Sequence, residues 1–186
     1  MKKILIVCAL MLFGASIVYA NDFQTFYNNG QNLYNSSQYT GAIVEFKKAL
    51  RINYKDNSAR IGLVNSYLAR GTYYANSQND YDRAANDFRS ALFYLKYYPD
   101  DKEVNDSATA IATTTDNLDQ CMNSRGQSKL PQERYNRGVV LRKNGDLPAG
   151  GYEFMQVIEG TDKNLQKKAY ANVAEIMAVL DNTPKA

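Results

Sequence analysis

The chain contains no histidine and no tryptophan, and only two cysteines and four prolines in 186 residues. Without histidine it lacks the side chain that usually shuttles protons near neutral pH and the commonest partner in zinc sites. A cysteine nucleophile would have no imidazole to activate it. The eleven glycines form no phosphate-binding loop after a strand, and no spaced Asp/Asn calcium loop occurs. These absences leave little room for catalysis. The chain is 45% hydrophobic and 22% charged. That balance suits one globular or repeat domain with a real core.

The first 20 residues stand apart. Lys2 and Lys3 precede an apolar run from Ile4 to Val18, and Val18-Tyr19-Ala20 fits signal-peptidase cleavage after Ala20. An uncleaved anchor helix is the alternative, but the run is short for a span of about 20 residues. Cys8 follows Val7 inside the run, which fits a lipoprotein signal poorly. The chain is thus expected to be exported, to the periplasm or cell exterior. Its mature part is expected not to span a membrane itself. Setting aside the two lysines lowers the formal charge from +3 to +1. A chain so near neutrality has no basic stripe for nucleic acid. Cys121 then remains alone and reads as a small apolar residue on a packed helix face, with intermolecular pairing as the other reading.

What is present is repetition. Phe26, Gly30 and Leu33 mark one helical face. Tyr39, Ala42, Phe46, Ala49 and Leu50 mark the next, at the 3–4 spacing of a helix side that meets a partner. The second pattern recurs at Tyr81, Ala84, Phe88, Ala91 and Leu92, and more loosely at Leu147, Gly150, Phe154, Val157 and Ile158. The stretch Phe26–Tyr54 resembles a tetratricopeptide repeat, the 34-residue helix–turn–helix unit, in its small and bulky residues and their order. The resemblance implies an all-α fold, a right-handed superhelical array of helix–turn–helix repeats with capping helices.

Taken in order, residues 21–125 are expected to hold two repeats and a capping helix. Asn21 or Asp22 caps the first helix, and Asp56, Asn57 and Ser58 offer caps for a third, about 58–75. The step from Ala42 to Ala84 exceeds the family's period by eight residues. A longer third helix or a longer loop at Asn76–Asp80 would absorb them. Two registers stay open there, one centred on Gly71, the other on Ile61, Val64, Tyr67 and Leu68. Asp80 caps the fourth helix and Pro99 closes it. Asp100 and Glu103 are placed like a capping box for a fifth helix. Val104, Ala108, Ile111, Thr115, Leu118 and Met122 form its inward seam. Residues 126–130 read as a short linker. Residues 131–186 read as a third, degenerate repeat, expected to pack less closely because of Gly150 and Gly151, plus a last capping helix. That helix turns Leu165, Ala169, Val173, Ile176 and Leu180 inward.

Asp116 and Asp119, with Asp106 nearby, are the remaining carboxylate group, and such spacing reads as a solvated face rather than a catalytic pair. No enzyme activity, cofactor or metal is expected. The resemblance implies a concave surface lined by the first helix of each repeat. Matching positions place Tyr27, Gln31 and Tyr34 there in the first unit, Asn65 or Tyr73 in the second, and Tyr135, Val139 and Arg142 in the third. Tyrosine offers stiff contact area and a hydroxyl, suited to peptide binding or to stacking on sugar. About half of the tyrosines are expected to be structural. The family's two-carboxylate clamp needs a basic residue and an asparagine where Tyr27 and Gln31 stand, while Arg142 and Lys143 could hold a single carboxylate. The expected function is therefore a non-enzymatic adaptor of the bacterial cell envelope that binds a protein or peptide partner. A carbohydrate- or wall-binding module and a self-associating structural component are the alternatives.

Overall fold

A computed structural model describes residues 22–96 and 107–180. The residues read as a signal peptide, the proposed cap Asn21, Pro99, the Asp100–Glu103 box, Val104 and Asp106 lie outside them. The described residues are all-α. The helices are α1 (22–35), α2 (Tyr39–Ile52), α3 (Asn57–Gln78), α4 (Tyr81–Lys96), α5 (Ser107–Ser124), α6 (Pro131–Lys143), α7 (Leu147–Ile158) and α8 (Lys163–Leu180). None of them is long and apolar enough to cross a membrane.

The helix ends follow local chemistry. The Asp56 carboxylate accepts from Ala59 N at 2.8 Å, Asp80 from Arg83 N at 3.1 Å, and Asp162 from Asn164 and Leu165 N at 3.0 Å. Each satisfies an N–H that the first turn leaves without a partner. Pro131 and Pro148 sit in the first turns of α6 and α7, where no helical N–H is lost. Gly126 and Gly145 take positive φ where α5 and α6 end. The eight extra residues lengthen α3, and only Asn79 and Asp80 separate it from α4. Both registers of α3 are used in part. Gly62, Val64, Tyr67 and Gly71 are buried, whereas Ile61 is 52% exposed.

Packing rests on phenylalanine rings seated on glycines. A Cβ at Gly30 would lie 2.9 Å from the Phe46 ring, one at Gly71 2.9 Å from Phe88, and one at Gly138 2.9 Å from Phe154. Each pair joins the two helices of one unit. Gly62 meets the far edge of Phe46, so α3 closes on the first unit with its N-terminal half and on α4 with its C-terminal half. Ala42, Ala49, Ala84 and Ala91 are fully buried beside these rings. Such seats hold helices close and fill the space with rigid rings.

The third unit joins the second in an unexpected way. α4 packs against α3, α5 and α7, while α6 packs on α7 and α8. The contact between units thus runs through their second helices. Phe93 of α4 inserts against Gly151, where a Cβ would stand 2.5 Å from its ring. A Cβ at Gly150 would lie 3.0 Å from the Gly138 carbonyl oxygen. The expectation that these two glycines make the third unit pack less closely is not met, because both permit close approaches. α5 covers α4 with Leu118, Cys121 and Met122. Cys121 is 2% exposed and packs as a small apolar residue, with burial raising its thiol pKa. The inward residues of α8 fall as expected: Leu165, Ala169 and Ile176 are buried, Val173 and Leu180 half-buried.

Candidate binding surface

Two arrangements stand out, one open and one closed. The open one is a cleft of about 300 Å³ between the α1–α2 turn and α3. Ser37, in the left-handed region at φ 58°, turns the chain. Gln38 N then donates to Leu33 O at 2.8 Å, which fixes Tyr39, Thr40 and Gly41 along one wall. Arg70, Tyr73 and Tyr74 of α3 form the other. Tyr73 is 48% exposed, and its hydroxyl accepts from Gln78 at 3.1 Å. Tyr34 leans on Tyr39 with ring centroids 5.7 Å apart.

Arg70 organises this cleft. Its Nε and Nη2 donate to the two oxygens of Asp87 at 2.8 and 2.7 Å, and its Nη1 donates to Thr40 Oγ1 at 3.2 Å. The guanidinium also lies 5.8 Å from the Tyr67 ring and 5.9 Å from Tyr74. Arg83 covers Tyr74 from 5.4 Å. Burial works to lower the Arg70 pKa, but the hydrogen bonds and charge of Asp87 outweigh it and hold it above its usual value. Burial pushes the Asp87 carboxyl up, and Arg70 only partly restores it. The result is a fixed fork that sets aromatic faces beside small polar groups, a surface able to grip an extended chain or a sugar ring.

The closed arrangement is a buried ionic joint between α4 and the third unit. Glu153, 0% exposed, lies among three arginines. Arg89 of α4, 1% exposed, donates from Nε to Glu153 Oε1 at 2.5 Å. Arg137 donates to both carboxylate oxygens at 2.9 and 3.0 Å, and Arg134 donates to Oε2 at 3.2 Å. Residues 126–130 complete the joint. Gln127 accepts from Arg89 at 2.5 Å, and the carbonyls of Ser128 and Lys129 accept from Arg137 and Arg134. The stretch read as a linker is thus tied down at several points. Burial would raise the Glu153 pKa, but the three guanidiniums bring it below the usual carboxylate range. Burial lowers the Arg89 pKa.

The residues expected on one concave surface make contacts of different kinds. Tyr73 lines the open cleft, and Tyr34 touches it through Tyr39. Tyr27 stacks on Phe23 at 6.1 Å, meets Phe46 edge-on at 6.0 Å, and accepts from Gln31 at 3.0 Å. Asn65 is exposed two turns before Tyr73. Tyr135 lies edge-on to Phe154 at 5.6 Å, and Arg142 is ion-paired with Glu175 of α8. Asp119 is held by Lys129 at 2.6 Å, and Asp116 is exposed. No cluster among the described residues could hold a metal. Sequence reasoning missed Arg70, Asp87, Arg89 and Glu153. The signal available for Glu153 was its isolation, since it is the only charged residue in the twelve of α7. The chain matches no family model, no curated protein and no solved structure.

Proposed function

We propose that this chain is a non-enzymatic adaptor of tetratricopeptide type, exported to the cell envelope, that binds an extended segment of a protein partner. The observation that carries this reading is the open cleft, where Tyr39, Tyr73 and Tyr74 surround an Arg70 immobilised by Asp87. Tyrosine gives contact area at low entropic cost, and Thr40 and Gln38 supply polar groups that a backbone can meet. The repeat assignment is supported by the three Gly–Phe seats, in each of which the glycine and the ring lie sixteen or seventeen residues apart in the chain. In this reading the first two units form a short superhelical arm. The third unit is a counter-arm fixed by the ionic joint.

Brief cross-linking of the tagged full-length chain in its own cells, followed by mass spectrometry, tests the proposal. A single dominant envelope protein is expected, and its capture should fall at least tenfold in Tyr39→Ala/Tyr73→Ala with helix content unchanged. Unaltered capture rejects the cleft as the site.

A second reading comes from the same aromatic faces, which suit stacking on sugar rings. Binding to isolated wall material that soluble wall fragments compete away, without a dominant protein cross-link, would favour it.

A further inference from the structure

A second cleft, of about 170 Å³, lies where the C-terminal half of α2 meets the start of α7 and the end of α8. Leu50, Leu147, Pro148, Val179 and Leu180 supply an apolar wall, and Lys47 and Arg51 bring charge to it. Val179 lines the cleft and is 57% exposed. At ~30 Å³ for each water-sized group the space holds about six heavy atoms.

The charge there is one-sided. Among the described residues neither Lys47 nor Arg51 forms an ion pair. Lys47 is half-buried, and its ammonium stands 5.5 Å from the Tyr67 ring. Burial lowers its pKa, and Arg70 and Arg51 lower it further, against Asp146 and Asp87. Asp87 is already bound to Arg70, and the exposed Asp146 makes no capping bond. Arg70 and Asp87 thus balance each other at the other cleft, which leaves Lys47 and Arg51 against Asp146, so one added anion balances them.

We propose that this cleft binds a short aliphatic carboxylic acid of about six carbons, its carbon chain filling the space on the apolar wall and its two oxygens held at the rim by Lys47 and Arg51. An apolar wall fixes the chain by burial, and a charge-assisted hydrogen bond in a half-buried setting fixes its head. A neutral alcohol of the same length satisfies only the first condition.

Titration of the full chain with hexanoate, followed by NMR shifts or calorimetry, tests this. Saturable one-site binding is expected, with hexan-1-ol about tenfold weaker. Lys47→Met, which keeps the apolar stem, should weaken hexanoate about tenfold, and Lys47→Arg should retain it within about threefold. Val179→Trp, at an exposed position, should fill the mouth and abolish binding with helix content unchanged. Lack of saturation, equal affinity for the alcohol, or indifference to both Lys47→Met and Val179→Trp would overturn the proposal. Tighter binding of an acetylated tripeptide ending in leucine than of hexanoate would overturn the free acid in favour of a peptide terminus.

Discussion

The seams within the units and the joint between the second and third units share rings seated on glycine but differ in how much charge they bury. Within a unit, a ring sits on a glycine, as Phe46 does on Gly30 and Phe154 on Gly138. Between the second and third units, Phe93 likewise sits on Gly151, and Arg89 also reaches across to Glu153, a carboxylate that Arg134 and Arg137 hold from within the third unit. The first kind of contact is non-directional and tolerates small adjustments. The second must satisfy every donor and acceptor or it costs more than it contributes. An apolar seam holds two helices together, whereas the ionic joint fixes which helix faces which.

The largest effect should come from breaking the joint on one side. Glu153→Ala leaves three buried or half-buried arginines without their carboxylate and is expected to cost about 3–5 kcal/mol in urea unfolding. Replacing Arg89 and Glu153 together by Met and Leu should recover only part of that loss, because Arg89 is then no longer a buried unpaired charge while Arg134 and Arg137 still lack their carboxylate. Phe46→Ala, by contrast, is expected to cost about 3–5 kcal/mol through cavity formation, with no second-site ionic rescue.

Acid sharpens the same contrast. The folded-state pKa of Glu153 is lowered. Its contribution is therefore fully present above the unfolded carboxylate value near 4.3 and is lost as pH falls through the lower folded value. Stability of the parent chain should fall with pH in that window, and Glu153→Gln should flatten the fall. Phe46→Leu should shift the whole curve while leaving its slope unchanged.

A smaller effect tests the seats from the glycine side. Gly71→Ala places a methyl against Phe88 and is expected to cost about 1–3 kcal/mol. Tyr73→Ala, on the open cleft, should change stability by less than about 0.5 kcal/mol while removing partner binding. If Tyr73→Ala destabilised the chain as much as Gly71→Ala, the cleft would be packing rather than a binding surface.

The helices and the seats were legible because their signals are local or periodic. Tyr39, Ala42, Phe46 and Ala49 share one face of one helix, and Asp56, Asp80 and Asp162 mark starts. The long α3 was legible as eight added residues, although not as a helix rather than a loop. The joint was not legible, because Arg89 and Glu153 lie 64 positions apart and each reads alone as an ordinary surface charge. Of the candidate site, Tyr73 was named for its family position and lies in the cleft. Tyr39 was read as a packing residue, and Arg70 carried no periodic signal. Tyr27 and Tyr135 share the aromatic spacing yet lie against Phe46 and Phe154, since residue type alone does not separate a contact surface from a core.

Cys121 turns the packing of α5 on α4 into a clock. It is the only cysteine among the described residues, and it is buried in the core. A thiol reagent in solution can reach it only in molecules whose α5 has lifted away. The labelling rate, measured against that of an unfolded chain, therefore counts how often this cover opens and gives its local stability without any engineered probe.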